Sequence, residues 1–224
     1  MYLRNLILRR KIKLVQLADI IINDLNIKRN DIVMVHTSLR SINLIDSHPE
    51  DLIYLLKMIV GAQGTLLMPT FLENQYQSLN YKLTSNNRSA SNRYDLINEL
   101  FRQMPDTIQS CVPAESFAVW GKMAKEIAED NYISDTTFDK NEFFYKLFLI
   151  KAKIIGLGVS LTDLSFLTHN ILDIINYKSQ GEISKFFEEG ELKTFKKRGI
   201  PFFWISAEKL YNKTLALSKN RIPE

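Results

Sequence analysis

Two short apolar runs separated by a helical segment constrain the fold of this 224-residue chain more than any other feature. The first run, residues 32–35, is mostly β-branched, which is typical of a strand buried on both faces. The second run, residues 65–68, follows a glycine turn and ends at Pro69. Between them, residues 49–60 carry apolar side chains at helical spacing. A strand, a helix and a strand within about 40 residues form a βαβ unit, so we expect the sheet to be at least partly parallel.

Polar residues stand where the first strand ends, in the order His36, Thr37, Ser38. Thr and Ser are good N-cap residues, so a helix can begin after them. A helix that begins there directs free backbone N–H groups outward, and these groups favour a phosphate or another anion. No glycine-rich phosphate loop accompanies them. On the residues alone, plain capping and ligand binding both remain open.

The rest of the chain shows ordinary patterns of a globular protein. It is 46% hydrophobic and 24% charged, which fits one domain over residues 1–224. Apolar periodicity predicts helices over residues 13–26, 94–104, 118–128 and 207–217, and strands over residues 153–159 and 202–205. Residues 73–94 are irregular and rich in Asn, Ser and Tyr, which indicates either a functional polar loop or a surface insertion.

The composition and the charge pattern limit which cellular compartment and which partners we expect. No apolar run is long enough to cross a bilayer, and the basic N-terminus lacks the apolar core of a signal peptide, so we expect a cytoplasmic protein without membrane insertion. The single cysteine, Cys111, excludes an internal disulfide framework and a cysteine-based zinc site, and we expect no metal. The basic clusters at residues 9–13 and 193–198 have no interleaved aromatics, so we expect solvated faces and no nucleic-acid partner.

Two sequence blocks resemble a known family. Residues 35–42, VHTSLRSI, and residues 64–71, GTLLMPTF, are similar to the "VHSSLRSIG" and "GTLLMPTF" blocks of the aminoglycoside 3-N-acetyltransferase family. The resemblance implies an acetyl-CoA-dependent N-acetyltransferase with a small-molecule amine acceptor. Together with the βαβ unit, it predicts a single three-layer α/β/α domain with a mainly parallel, mixed central sheet. A homodimer is left open.

The chain departs from the family pattern in several places. Where the family has "R-S-x-H-P-x-x-S", this chain keeps the two serines, Ser110 and Ser116, but has Gln109 for the basic residue and Val112 for the histidine. A second family motif contains a Gly followed by Ser-Pro, and this chain has Asp139 at the position of the Gly. These changes remove a cation and a titratable group from the expected cleft. They favour the alternative that the chain is a non-catalytic descendant acting as a binding protein.

His169 is the candidate general base. The family has a "T-x-x-H-x-x-E" segment whose histidine is held to be the base, and His169 matches that histidine. Asp173 follows four residues later, so in a helix the two side chains lie on one face, and a carboxylate there would fix the imidazole tautomer. Asp173 is one residue beyond the family's carboxylate position, and Asp163 is an alternative partner. Without the resemblance, a surface His–Asp pair is the favoured explanation of the pattern.

The remaining site assignments are of two kinds. We assign cofactor binding to residues of the first block and to the two serines that match the family pattern: His36, Thr37, Ser38, Leu39, Arg40, Ser110 and Ser116. We assign substrate binding to residues of the second block and to one helical carboxylate: Thr70, Phe71, Glu73 and Glu99. Glu99 and Arg102 are spaced i, i+3 and are expected to pair on the helix surface.

The expected acceptor is an amino sugar, nucleotide-linked or otherwise activated as a precursor of a surface polysaccharide. The net charge of +4 would attract an anionic nucleotide sugar and repel a polycation. The resemblance implies that residues 73–94 form a polar loop at the mouth of the substrate cleft; this loop supplies groups that hydrogen-bond sugar hydroxyls and holds one carboxylate, Glu73. The alternative acceptor is an aminoglycoside antibiotic, which would make the chain a resistance enzyme.

Overall fold

The computed structural model describes residues 11–38, 45–70, 96–110, 117–129, 147–159 and 192–206. The helices are α1 (Leu14–Asp19), continued by a π-helical turn (Ile20–Asp24), α2 (Pro49–Val60), α3 (Leu96–Gln103) and α4 (Ala124–Glu129). The strands are β1 (Ile12–Lys13), β2 (Ile32–Thr37), β3 (Ile45–Asp46), β4 (Thr65–Pro69), β5 (Thr107–Gln109), β6 (Phe117–Gly121), β7 (Lys153–Leu157), β8 (Leu192–Lys197) and β9 (Ile200–Ser206). Within these residues no helix is long and apolar enough to span a membrane.

Seven strands form one mixed sheet in the order β5-β6-β4-β2-β7-β9-β8. The central strand β2 is parallel to both of its neighbours, β4 and β7. The outer strands are antiparallel: β6 pairs with β4 and β5, and β9 pairs with β7 and β8. The α/β class and the mixed sheet are confirmed. In this sheet the parallel pairing is confined to the three central strands, and β1 and β3 form a separate parallel pair.

Helices cover both faces of this sheet. On one face, buried side chains of α1, α2 and α3 form a core with alternate residues of β2 and β4, such as Val33 and Leu66. On the other face, Met34 and Leu67 pack with α4 and with residues of β7 and β9. Because side chains along a strand point alternately to opposite faces, this arrangement explains the continuous apolar runs of β2 and β4.

Most predicted elements are confirmed, with one clear error. Helix α2 and the parallel pair of β2 with β4 make the expected βαβ unit. The predicted helix over residues 118–128 is wrong in its first part, because Phe117–Gly121 is a strand and the helix begins only at Ala124. Gly121 separates them with a φ of 111°, and a Cβ there would lie 2.2 Å from the carbonyl oxygen of Gly64. The helix predicted over residues 207–217 and the loop over residues 73–94 lie outside the described residues.

Candidate active site

The carboxyl ends of the parallel strands bring predicted site residues to one edge of the sheet. Strand β2 ends with His36 and Thr37, and the adjacent strand β4 ends at Pro69, immediately before Thr70. From β2 the chain continues through α2 to β4, which lies on one side of β2 in the sheet. On the other side of β2 lies β7, whose next neighbour is β9. In open α/β sheets, ligands bind beyond the carboxyl ends of the strands, at the point where the order of the strands reverses. This edge is therefore the candidate active site.

His36 is buried between the central strands. It is 7% exposed, and it lies in register with Gly156 of β7, which in turn pairs with Phe203 of β9. Its Nε2 atom is buried and has no hydrogen-bond partner among the described residues. Burial lowers the pKa of the imidazole to about 4, so His36 is neutral at pH 7. A neutral imidazole here can donate or accept one hydrogen bond toward a ligand, but it brings no charge.

Thr37 ends β2, and Thr70 directly follows the neighbouring parallel strand β4. The Thr37 hydroxyl donates to Oδ1 of Asn98 over 3.2 Å, which links the end of β2 to α3. Thr70 is 6% exposed, and its Oγ1 is buried without a partner among the described residues. Asn98 is itself 8% exposed. Two hydroxyls and an amide thus form a small polar cluster at the strand ends.

A partly buried ion pair lies on the same helix, α3. The Arg102 guanidinium donates to both carboxylate oxygens of Glu99, over 2.8 and 2.5 Å, and its Nη1 lies 3.5 Å from Oε1 of Gln109. The Gln103 side chain also donates to Glu99. The hydrogen bonds from Arg102 hold the pKa of Glu99 below its usual range. The Arg102 side chain is only 4% exposed, so the pair is not the surface pair that the spacing predicts.

Ser110 stabilises the join between β5 and β6. Its backbone N–H donates to the carbonyl oxygen of Phe117, and its Oγ accepts from the N–H of Phe117, each over 2.8 Å. These two hydrogen bonds hold together the residues that precede and follow residues 111–116, at the same edge of the sheet as Thr70. A contact between Ser110 and the cofactor stays a prediction. Because the Oγ of Ser110 already accepts a hydrogen bond, the hydroxyl hydrogen is the group that Ser110 would donate to the cofactor.

Only part of the predicted site residues lies within the described residues. Those that do come from several elements and lie near one another. His36, Thr37, Ser38, Thr70 and Ser110 meet at the carboxyl edge, with Glu99 in the adjoining ion pair. The other assigned residues lie outside the described residues: Leu39, Arg40, Phe71, Glu73, Ser116, Asp163, His169 and Asp173. The same is true of Val112 and Asp139. Within the described residues, no group of three His, Cys, Asp or Glu side chains could hold a metal ion.

Sequence reasoning missed Asn98. Asn98 and Arg102 are four residues apart on the buried side of α3, where Ile97 and Phe101 are also buried. A polar residue at a helical position that apolar periodicity assigns to the core is the signal that would have identified Asn98. For Arg102 the sequence predicted the partner but not the burial.

Comparison with known proteins decides the family. A sequence profile described as aminoglycoside 3-N-acetyltransferase matches residues 34–191, which is more than half of the chain. The chain belongs to the aminoglycoside 3-N-acetyltransferase family. It is therefore an N-acetyltransferase, and acetyl-CoA is the cofactor that the family uses. A search of curated protein sequences found no significant match.

Solved structures of family members share the fold at low identity. AAC-IIIb, solved as a binary complex with CoASH, is 17% identical with a TM-score of 0.73, over 94% of this chain and 98% of that one. A mutant of AAC(3)-IVa in complex with a gentamicin is 16% identical with a TM-score of 0.73, over 94% and 90% of the two chains. YokD from Bacillus subtilis is 20% identical with a TM-score of 0.67, over 89% and 96%.

Proposed function

We propose that this family member transfers the acetyl group of acetyl-CoA to the amino group of an amino sugar that is nucleotide-linked or otherwise activated for a surface polysaccharide. The observation that carries the choice of acceptor is the state of Glu99. The Glu99 carboxylate lies on α3 next to Asn98, which contacts the end of β2, and Arg102 already neutralises it. A site built for a polycation needs free carboxylates.

The cofactor is expected to lie over the end of β2. Thr37 and Ser38 present hydroxyl and backbone groups there, and the hydrogen bond of Thr37 to Asn98 fixes the rotamer of the Thr37 side chain. Thr70 Oγ1 and His36 Nε2, both buried and without a hydrogen-bond partner among the described residues, supply two further polar atoms toward the same edge. Leu39, Arg40, Ser110 and Ser116 complete the proposed set of cofactor contacts. The CoASH complex of AAC-IIIb supports a cofactor site in this fold.

The reaction needs positioning, a base and donors for the oxyanion. The amine nitrogen attacks the thioester carbonyl of acetyl-CoA, a C–N bond forms, and the C–S bond breaks to release the CoA thiol. His169 takes the excess proton of the attacking amine, with Asp173 or Asp163 setting its tautomer. The proton then returns to solvent or to the departing sulfur, so no covalent enzyme intermediate is required. Phe71 and Glu73 are proposed to contact the acceptor beside Thr70.

The charge of the chain supports an anionic acceptor. The net charge is +4, and the Glu99–Arg102 pair adds no net charge to the edge. A basic protein concentrates anions at its surface and repels polycations within about a Debye length, roughly 8–10 Å. A sugar linked to a nucleotide carries phosphates that such a surface attracts.

A second candidate, an aminoglycoside acceptor, is favoured by the comparisons. The matching family is described by that activity, and AAC(3)-IVa was solved with a gentamicin. On this alternative, the carboxylates that bind the antibiotic amines would come from parts of the chain outside the described residues, beginning with Glu73.

The acceptor is tested with a panel of amines and acetyl-CoA, by following thiol release. The panel pairs free amino sugars and their nucleotide-linked forms with kanamycin- and gentamicin-type amines. We expect the highest kcat/KM for a nucleotide-linked amino sugar, with the preference weakening as ionic strength rises. If an aminoglycoside exceeds every amino sugar in kcat/KM, the proposed acceptor is wrong and the resistance activity replaces it.

A further inference from the structure

A buried amide lies beside the end of the central strand β2. Asn98 is 8% exposed on the buried side of α3, and its Oδ1 accepts a hydrogen bond of 3.2 Å from the Thr37 hydroxyl. Cofactor binding is assigned to Thr37, whereas Asn98 has no role in the reaction described above. A buried polar side chain costs free energy unless its hydrogen bonds are made, so Asn98 and Thr37 are best understood as a pair.

The direction of this hydrogen bond determines what Thr37 can offer a ligand. A hydroxyl group has one hydrogen to donate and two lone pairs with which to accept. Because Thr37 donates its hydrogen to Asn98, its hydroxyl can act toward a ligand only as an acceptor. A phosphate oxygen needs a donor, whereas an amide N–H needs an acceptor. The Thr37 side chain is therefore matched to an N–H group and not to a phosphate.

Thr70 supplies the opposite capacity at the neighbouring strand end. Thr37 and Thr70 stand three residues beyond Met34 and Leu67, which are paired between the parallel strands β2 and β4. Thr70 is 6% exposed, and its Oγ1 has no hydrogen-bond partner among the described residues. Its hydroxyl hydrogen can therefore be donated to a ligand carbonyl. The two strand ends thus present an acceptor and a donor side by side.

Helix α3 holds Asn98 in place through a second contact with the sheet, one turn further on. The Arg102 side chain is 4% exposed, and its Nη1 lies 3.5 Å from Oε1 of Gln109 on β5. Hydrogen bonds to β2 and to β5 thus join the helix to the sheet at two points. A group that binds a ligand is most effective when its surroundings hold it in the bound orientation beforehand.

We propose that Asn98 is a positioning residue for the cofactor, because it holds the Thr37 hydroxyl as an acceptor for an amide N–H of the pantetheine arm of acetyl-CoA. This role rests on the proposed placement of the cofactor over the end of β2. The pantetheine arm carries secondary amides, each with an N–H and a carbonyl, whereas the nucleotide end carries phosphates, which are acceptors. Thr37 would accept from an amide N–H, and Thr70 would donate to an amide carbonyl.

Calorimetric titration with CoA and with pantetheine, which lacks the nucleotide and its phosphates, tests this contact. Asn98→Leu nearly keeps the size of the side chain but cannot accept the Thr37 hydrogen. We expect it to weaken the binding of both ligands by the same factor, about 3–10-fold, the typical cost of one lost hydrogen bond. The affinity for pantetheine, the weaker ligand, is measured from its displacement of CoA.

Two outcomes of this titration would overturn the proposal. Weaker binding of CoA with unchanged binding of pantetheine would place Thr37 at the phosphates. Wild-type protein that fails to bind CoA or pantetheine would show that the arm does not lie at this strand end.

Two further variants separate positioning from a purely structural role. In the Thr37→Val background, Asn98→Leu should change each affinity by less than about twofold, because the hydroxyl that Asn98 orients is already absent. Asn98→Asp keeps an oxygen that accepts the Thr37 hydrogen, so the affinity for the uncharged pantetheine should stay within about twofold of the wild-type value. Undiminished weakening by Asn98→Leu in the Thr37→Val background would contradict the proposal, as would an equal loss in Asn98→Asp and Asn98→Leu.

The matched control is Asn23→Leu, the same change at an exposed amide of the π-helical turn. This turn lies at the opposite edge of the sheet, where Lys153, the first residue of β7, donates to the backbone of Asn26. Asn23→Leu should leave both affinities unchanged, and circular dichroism checks that every variant keeps the wild-type fold. No measurement here uses an acceptor amine, so a wrong acceptor in the proposed function and a wrong contact of Thr37 give different results.

Discussion

At the scale of single residues, the candidate site is marked by buried polar atoms that have no partner among the described residues. His36 Nε2 and Thr70 Oγ1 both lie at the carboxyl edge. A buried polar atom without a hydrogen bond costs about 1–3 kcal/mol, so proteins rarely leave one unpaired without a functional reason. A bound ligand with complementary donors and acceptors would recover this free energy. The two atoms are therefore better evidence for a binding site than the motif alone.

The buried His36 predicts a specific pH dependence of stability. Its folded pKa of about 4 lies below the usual value of 6.5, so between these values the unfolded chain binds a proton that the folded chain excludes. The free energy of unfolding should therefore fall as the pH is lowered from 6.5 to 4, by up to about 1.4 kcal/mol per pH unit from this residue.

Urea denaturation at a series of pH values, with His36→Gln as the comparison, isolates this contribution. Glutamine keeps a polar side chain but does not titrate, so the difference in unfolding free energy between the two proteins should change across this pH window. A constant difference from pH 6.5 to 4 would show that His36 has an ordinary pKa in the folded chain.

At the scale of elements, the central strands depend on one close approach. A Cβ on Gly156 of β7 would lie 1.9 Å from Cε1 of Phe203 on β9, so the Phe203 ring occupies the space above the glycine. The described group above Gly156 is an aromatic side chain from the neighbouring strand. It holds β7 and β9 together beside His36.

Gly156→Ala should therefore destabilise the protein by overpacking. We expect a loss of about 1–3 kcal/mol in the free energy of unfolding, measured by urea denaturation. Phe203→Leu removes part of the ring, so the double variant should lose less than the sum of the two single variants. Strict additivity would mean that Gly156 and Phe203 do not meet in the folded protein.

The local sequence pattern of each element determines whether the sequence could predict that element. The βαβ unit was predictable because α2 has helical periodicity and β2 and β4 are apolar runs of strand length. Strand β8 (Leu192–Lys197) was missed because it is an edge strand with four exposed residues, and charged edges do not resemble buried strands. The boundary at Gly121 was missed because apolar residues on both sides of it fall at positions compatible with one helix, and only tertiary pairing with β4 identifies the first segment as a strand.

The candidate site was predictable where it coincides with a motif and not elsewhere. His36, Thr37 and Thr70 stand at strand ends that the apolar runs identify. The partnership of Thr37 with Asn98 joins residues 61 positions apart, and no local pattern reports it. The burial of Arg102 also depends on tertiary packing, since its neighbour Gln109 comes from β5.

At the scale of the whole molecule, one sheet positions the candidate site. The carboxyl edge of its parallel centre gathers the polar residues of the candidate active site, while helices packed on both faces bury the apolar side chains of its central strands.

The most direct test of the proposed function is the rate of thiol release from acetyl-CoA with an amino-sugar acceptor, for the wild-type chain and for His169→Ala. We expect turnover by the wild type and a kcat lower by about 10²–10⁴-fold in the variant, the loss typical of a missing general base, with the affinity for CoA nearly unchanged. Equal loss of kcat and CoA affinity would assign His169 a structural role. A wild-type chain that releases no thiol with any amine, sugar or aminoglycoside, would contradict the central claim that this chain is a working acetyltransferase.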